Sequence, residues 1–183
     1  MKSLILAVTA ALFGLGPSSH AGSVSRSVPK FSSAYTDLKT QCRPTTAQEA
    51  EGVDTPLRCE GYGGYEIRID FSAASSHLRI QPKGDETEES VHLAAQPLDY
   101  DAKRKIEWRL ADGKPFAVIF RVHKAKVGAD PADMWRAENK AGEALLVKGL
   151  KGHGHIDFEV DAGTPNANDK ARELADKAYL KGR

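Results

Sequence analysis

Residues 65–71 alternate strictly: Tyr65, Ile67, Ile69 and Phe71 are apolar, and Glu66, Arg68 and Asp70 between them are polar. A period of two predicts a strand with one buried and one wet face. Gly61, Gly63 and Gly64 stand just before it. Glycine accepts positive φ without a Cβ penalty, so a sharp bend is expected there. The same pattern returns at 106–110, where Ile106, Trp108 and Leu110 alternate with Glu107 and Arg109. Glu66/Arg68 and Glu107/Arg109 read as cross-strand charge pairs on polar faces. Asp112-Gly113 predicts a hairpin turn. In the strand that follows, Phe116, Val118, Phe120 and Val122 share one face, while Ala117 and Ile119 make the other partly apolar, which marks a central strand.

Weaker strand patterns cover 77–81, 90–94, 143–150 and 155–160, and residues 34–42 read as one turn or a short irregular strand. Thr164 as N-cap and Pro165 at the first helical position open a helix to about Lys181. Its thin apolar stripe, Ala167, Ala171, Leu174 and Ala178, suits docking on a sheet. The expected fold is mainly β (α+β): a single antiparallel sheet or incomplete barrel with a C-terminal α-helix.

The N-terminus changes where this domain is expected to work. Lys2, the apolar run from Leu4 to Leu15 and Ser19-His20-Ala21 form a signal-peptide pattern over residues 1–21. The run is shorter than the roughly 20 residues a membrane-spanning helix needs. Residues 22–33 read as a flexible leader, and 34–183 as one β-rich domain with its C-terminal helix. The expected location is periplasmic or secreted, with no transmembrane segment.

The 183 residues carry 26 basic and 25 acidic side chains. A formal charge near zero argues against broad nucleic-acid binding. Cys42 and Cys59 are the two cysteines. In an oxidising compartment they are expected to form a structural disulfide. Their spacing is not Cys-x-x-Cys, and no third thiol is present to build a metal site.

Candidate chemistry is sparse. There is no Gly-x-Ser-x-Gly elbow and no glycine-rich phosphate loop before a helix. The carboxylates sit on polar strand faces or loops, so no enzyme activity and no cofactor are expected. His153 and His155, with Asp157, would share one strand face and could present two imidazoles to a metal. Tyr62 lies between glycines, Tyr65 follows the bend, and Trp135 sits beside Met134 and Arg136. Aromatic and arginine side chains at exposed sites anchor binding surfaces, so Tyr62, Tyr65 and Trp135 are the candidate binding residues.

Three blocks carry a resemblance: Cys59-Glu60-Gly61-Tyr62-Gly63-Gly64, Glu107-Trp108-Arg109 and Lys114-Pro115-Phe116-Ala117. With the strand from His155 to Ala162, Pro165-Asn166-Ala167-Asn168 and Ala171-Arg172, they resemble a family of small exported alphaproteobacterial proteins. The resemblance covers most of the chain from about Tyr35. It implies architecture and compartment but no activity. Many members carry a second cysteine pair, one before the His strand and one at the C-terminus. Gly154 and the Lys181-Gly182-Arg183 end lack it here, which implies a less firmly pinned helix. Periplasmic lysozyme inhibitors are similar more weakly, as small exported β domains with a disulfide.

Three functions follow as expectations. The first is a non-enzymatic periplasmic protein that binds a protein or envelope component. The second is an inhibitor of lysozyme or another hydrolase, and the third a metal carrier using His153 and His155. The oligomeric state is not fixed by the sequence.

Overall fold

The computed structural model describes residues 27–45, 56–72, 75–84, 91–96, 105–130, 133 and 136–182. The signal-peptide segment, residues 22–26 of the leader, Met134 and Trp135 lie outside the described residues. The chain runs β1 (Phe31–Asp37), the one-turn helix α1 (Leu38–Gln41), β2 (Cys42–Pro44), β3 (Leu57–Glu60), β4 (Tyr65–Ser72), β5 (Ser75–Pro82) and β6 (Val91–Gln96). It continues with β7 (Lys105–Ala111), β8 (Lys114–Ala125), a 3-10 turn at Ala137–Asn139, β9 (Lys140–Gly149), β10 (Asp157–Asp161) and α2 (Ala167–Lys181).

The mainly β, antiparallel character and the C-terminal helix agree with the sequence. The strands divide between two five-stranded sheets that do not close into a barrel. The outer sheet is the meander β2-β3-β4-β5-β6, and the central sheet is ordered β1-β7-β8-β9-β10. Strand β1 begins at Phe31, inside the stretch read as leader. Its pairing partner is β7, with Ala34 opposite Trp108. The ring of Phe31 anchors this start by packing on Phe116 and Tyr179, centroids 5.9 and 5.8 Å away.

The central sheet is covered on both faces. One face, with Ile106, Trp108, Leu110, Val118 and Phe120, packs against Ile67, Ile69, Leu78 and Ile80 of the outer sheet. The other, with Ala117, Ile119, Leu145 and Val147, packs against α2, and Phe116 joins it rather than the face of Val118, Phe120 and Val122, because the β7–β8 register shifts between Arg109 and Leu110. Three layers result, so β8 is buried on both sides, as its near-continuous apolar run requires. Asp112 and Gly113 make the two-residue β7–β8 turn with φ of 50° and 79°, the positive-φ pair of a type I′ hairpin. Inside the first core the Trp108 indole N–H donates to Thr36 Oγ1 at 3.0 Å.

Helix α2 opens at Ala167, later than Thr164 and Pro165 predict. Those two residues belong to a turn in which the Ala167 N–H donates to the Thr164 carbonyl at 3.1 Å. Asn166 precedes the helix in a left-handed conformation, with no side-chain cap. Ala167, Ala171, Ala175 and Ala178 form the buried stripe, with Leu174 partly buried beside it. Small side chains let the helix lie close to the sheet.

Glu107 and Arg109 are not a solvent-facing cross-strand pair. Both are buried beneath α2. Arg172 donates to Glu107 through Nε at 2.7 Å and Nη2 at 3.1 Å. Arg109 donates to Asp176 through Nε at 3.1 Å and Nη2 at 2.6 Å. Ser33 of β1 bridges the two pairs, donating to Glu107 at 2.5 Å and accepting from Arg109 at 2.7 Å. Buried charges persist only when paired and hydrogen-bonded, and here the partners come from β1, β7 and α2 together.

Candidate functional site

The Gly61–Gly64 bend is built by two different uses of glycine. Gly63 and Gly64 have φ of 61° and 87°. Gly61 instead permits close approach: a Cβ there would lie 2.6 Å from the Tyr65 carbonyl oxygen and 3.0 Å from the Trp108 ring. Tyr65 is drawn inward, its ring centroid 5.9 Å from that of Trp108, and packs at the core margin. Tyr62 stays 38% exposed. Two of the three candidate aromatics therefore share one bend, in different environments, and Trp135 lies outside the described residues.

Beside this bend is an open groove of about 350 Å³. Its walls include Arg43 and Thr45 after the disulfide, Arg58 and Glu60 of β3, and Tyr65. The Cys42–Cys59 disulfide is formed between residues directly opposite each other in β2 and β3, with Cα atoms 4.0 Å apart. It fixes the register of the next pair, Arg43 opposite Arg58.

That register continues across the outer sheet. Arg58 stands opposite Arg68, and Arg68 opposite Arg79. His92 occupies the next register position on β6. Four arginines thus form one row, perpendicular to four strands, on the face turned away from the core. Helix α2 covers the far side of the protein.

The row is unevenly neutralised. Glu66, almost fully buried, accepts from Arg68 Nε at 3.1 Å and from Gln81 Nε2 at 2.8 Å. Arg79 Nη2 donates to Asp70 at 2.7 Å, and Lys83 is paired with Glu60 at 3.1 Å. Arg58 has only a 3.8 Å approach to Glu66 and its side chain is 49% exposed. Arg43 is exposed and has no carboxylate partner among the described residues.

His153 and His155 lie elsewhere, on the turn between β9 and β10 rather than on a strand. Their ring centroids are 6.2 Å apart. His153 packs on Tyr179 and Phe116 at 5.2 and 6.0 Å. Burial, helped by the neighbouring charge of His155, pushes its pKa down. His155 Nε2 lies 3.2 Å from the Ala178 carbonyl oxygen near the end of α2. Asp157 is taken by Lys148 at 2.6 Å. Among the described residues no group of three or more His, Cys, Asp or Glu side chains is placed to hold a metal ion. What the pair visibly does is pin the helix end. Gly182 sits so close to it that a Cβ would come within 2.5 Å of the His155 ring.

Pattern reading found the bend but missed the arginine row. Its members are 10 to 15 positions apart in sequence, and only register brings them together. The one local signal was the cysteine pair, which aligns the residues after Cys42 and before Cys59. No helix of the described residues is long and apolar enough to cross a membrane. Comparison with family models, with curated proteins and with solved structures finds no match to this chain.

Proposed function

We propose that this chain is a non-enzymatic binding protein that works in the periplasm or is secreted, and that it engages a partner through the groove beside the disulfide. The observation that carries the reading is the asymmetry of the layers. On one side of the protein α2 packs against the central sheet, and on the other lie an open groove and the exposed Tyr62 in the adjoining bend. Concave surfaces with an exposed aromatic and unspent polar groups are the usual form of a recognition site. The buried carboxylates Glu66 and Glu107 are both engaged by arginine, which favours binding over acid–base chemistry. The disulfide favours an oxidising compartment.

A photo-crosslinking amino acid placed at position 62, with position 170 on the exposed side of α2 as control, tests this in cells that make the protein. A discrete adduct from position 62 alone is expected. Adducts of equal yield from both positions, or none from position 62, would overturn the reading.

The geometry of the bend favours one particular partner class as a second reading. Tyr62 stands on a turn set by Gly63 and Gly64 next to a cross-linked hairpin, a rigid convex element of the kind that enters a hydrolase cleft. A lysozyme inhibitor would slow cell-wall lysis at near-stoichiometric dose; unchanged lysis at a tenfold excess removes it.

A further inference from the structure

We infer that the arginine row is a receptor for an acidic polysaccharide, with Arg43 and Arg58 forming the clamp for an anionic substituent. The inference deepens the binding reading above and rests on it.

The starting point is an electrostatic anomaly. Like charges directly opposite each other in a sheet are destabilising, yet Arg43, Arg58, Arg68 and Arg79 are aligned one per strand. Carboxylates answer the charge at one end of the row, where Glu66 holds Arg68 and Asp70 holds Arg79. At the other end Arg58 has only the 3.8 Å contact to Glu66, which is already committed to Arg68 and Gln81, and Arg43 has no carboxylate partner among the described residues. Arg43 and Arg58 are both exposed, opposite each other, and line the groove. The guanidinium is a planar fork suited to carboxylate or phosphate oxygens. Two forks converging on one groove make an anion clamp, and the disulfide at the adjacent register position holds them in place.

The ligand's form follows from the rest of the face. The row crosses three strand spacings of about 4.8 Å each, so it extends over about 14 Å and matches an elongated molecule better than a lone ion. Arg79, its side chain 35% exposed beside Asp70, continues the row along the ligand's length. Tyr62, exposed in the bend whose Gly61 and Gly64 line the groove, offers an aromatic face on which a sugar ring can stack. The near-zero formal charge of the whole chain conceals this local patch. The disulfide favours a compartment where the abundant extended polyanions are glycans.

Titration calorimetry of the disulfide-bonded chain tests the inference with four probes: polygalacturonate for carboxylate, a phosphorylated mannan for phosphate, neutral dextran, and single-stranded DNA. Binding to at least one acidic glycan and not to dextran is expected, weakening as salt rises from about 50 to 200 mM. Which acidic probe binds identifies the anionic group. Arg43→Gln with Arg58→Gln should lower affinity at least roughly tenfold, the loss expected for charge-assisted hydrogen bonds. Arg43→Lys with Arg58→Lys, which keeps charge but not the fork, should fall between. Arg136→Gln with Lys124→Gln, the same loss of two charges elsewhere on the surface, should leave affinity within about twofold. Undiminished affinity in the double glutamine variant would overturn the inference, as would equal affinity for single-stranded DNA. Failure of every glycan to bind would overturn it too, and a persisting adduct from position 62 would then show that binding survives with a different ligand.

Discussion

Arg172 and Glu107 are held together by two hydrogen bonds across the interface between α2 and the central sheet. Glu107 is 9% exposed in its side chain, so removing the guanidinium strands a buried carboxylate. Hydrogen bonding to Glu107 also raises the Arg172 pKa, so the guanidinium keeps its charge. Arg172→Ala should lower stability by about 1–3 kcal/mol, reduced from the fully buried case because Arg172 is itself partly exposed. Arg172→Met combined with Glu107→Gln should recover part of that loss. Chemical denaturation of the single and double variants measures both.

Gly149 and Gly154 offer a matched comparison on one turn. A Cβ at Gly149 would lie 1.8 Å from the His153 carbonyl oxygen, whereas one at Gly154 meets nothing within 4 Å. Gly149→Ala must therefore displace backbone, and a loss of about 3 kcal/mol or more is expected. Gly154→Ala should stay within about 0.5 kcal/mol of the parent. Thermal melts of the two variants decide the matter, and equal melting temperatures would show that the turn yields freely.

The Cys42–Cys59 bond closes a short loop, with a sequence separation of 17. Cys59 is almost fully buried, so alanine is the cleaner replacement. Cys42→Ala with Cys59→Ala should cost about 3 kcal/mol. Reductant should lower the melting temperature of the parent and leave that of the double variant unchanged.

His153 gives stability a dependence on pH. Its folded pKa is depressed, mainly by burial and then by His155, from 6.5 in the open chain. Between the folded and unfolded values the unfolded chain binds more protons, so stability rises with pH in that window. The contribution is complete above about pH 7.5. It declines as pH falls through about 6.5 and levels off once the folded imidazole is protonated too. Melting temperatures from pH 7.5 to 5.0 should show this slope, and His153→Gln should flatten it.

The sequence revealed those parts of the fold that are local. Alternation located β4, β7 and β8, and Asp112-Gly113 announced its own turn, because each depends on neighbours a few residues away. The fate of Glu107 and Arg109 was hidden for the opposite reason. Alternation says only that their face is polar. It does not say that Arg172 and Asp176, one helical turn apart on α2, will meet them with opposite charges in the reverse order. The division into two sheets was equally invisible, since it turns on β1 choosing β7 over the adjacent meander. In the candidate site, Tyr62 was legible as an aromatic too constrained to hide. Arg43 and Arg58 were not, because an isolated arginine in a polar stretch looks like any other until its opposite number is known.

The pairing of β1 with β7 has a consequence in time. Ser33 hydrogen-bonds to Glu107 across 74 positions of chain, while β7 to β10 are joined by successive hairpins. Closing a long loop carries an entropic cost that short hairpins avoid. The strand synthesised first is therefore among the last to find its place. Until it docks, one edge of the central sheet stays open, and the Ser33 bridge between the two buried ion pairs is missing. Order of synthesis and order of assembly thus run opposite ways at this edge, and the strand made early waits until β7 arrives.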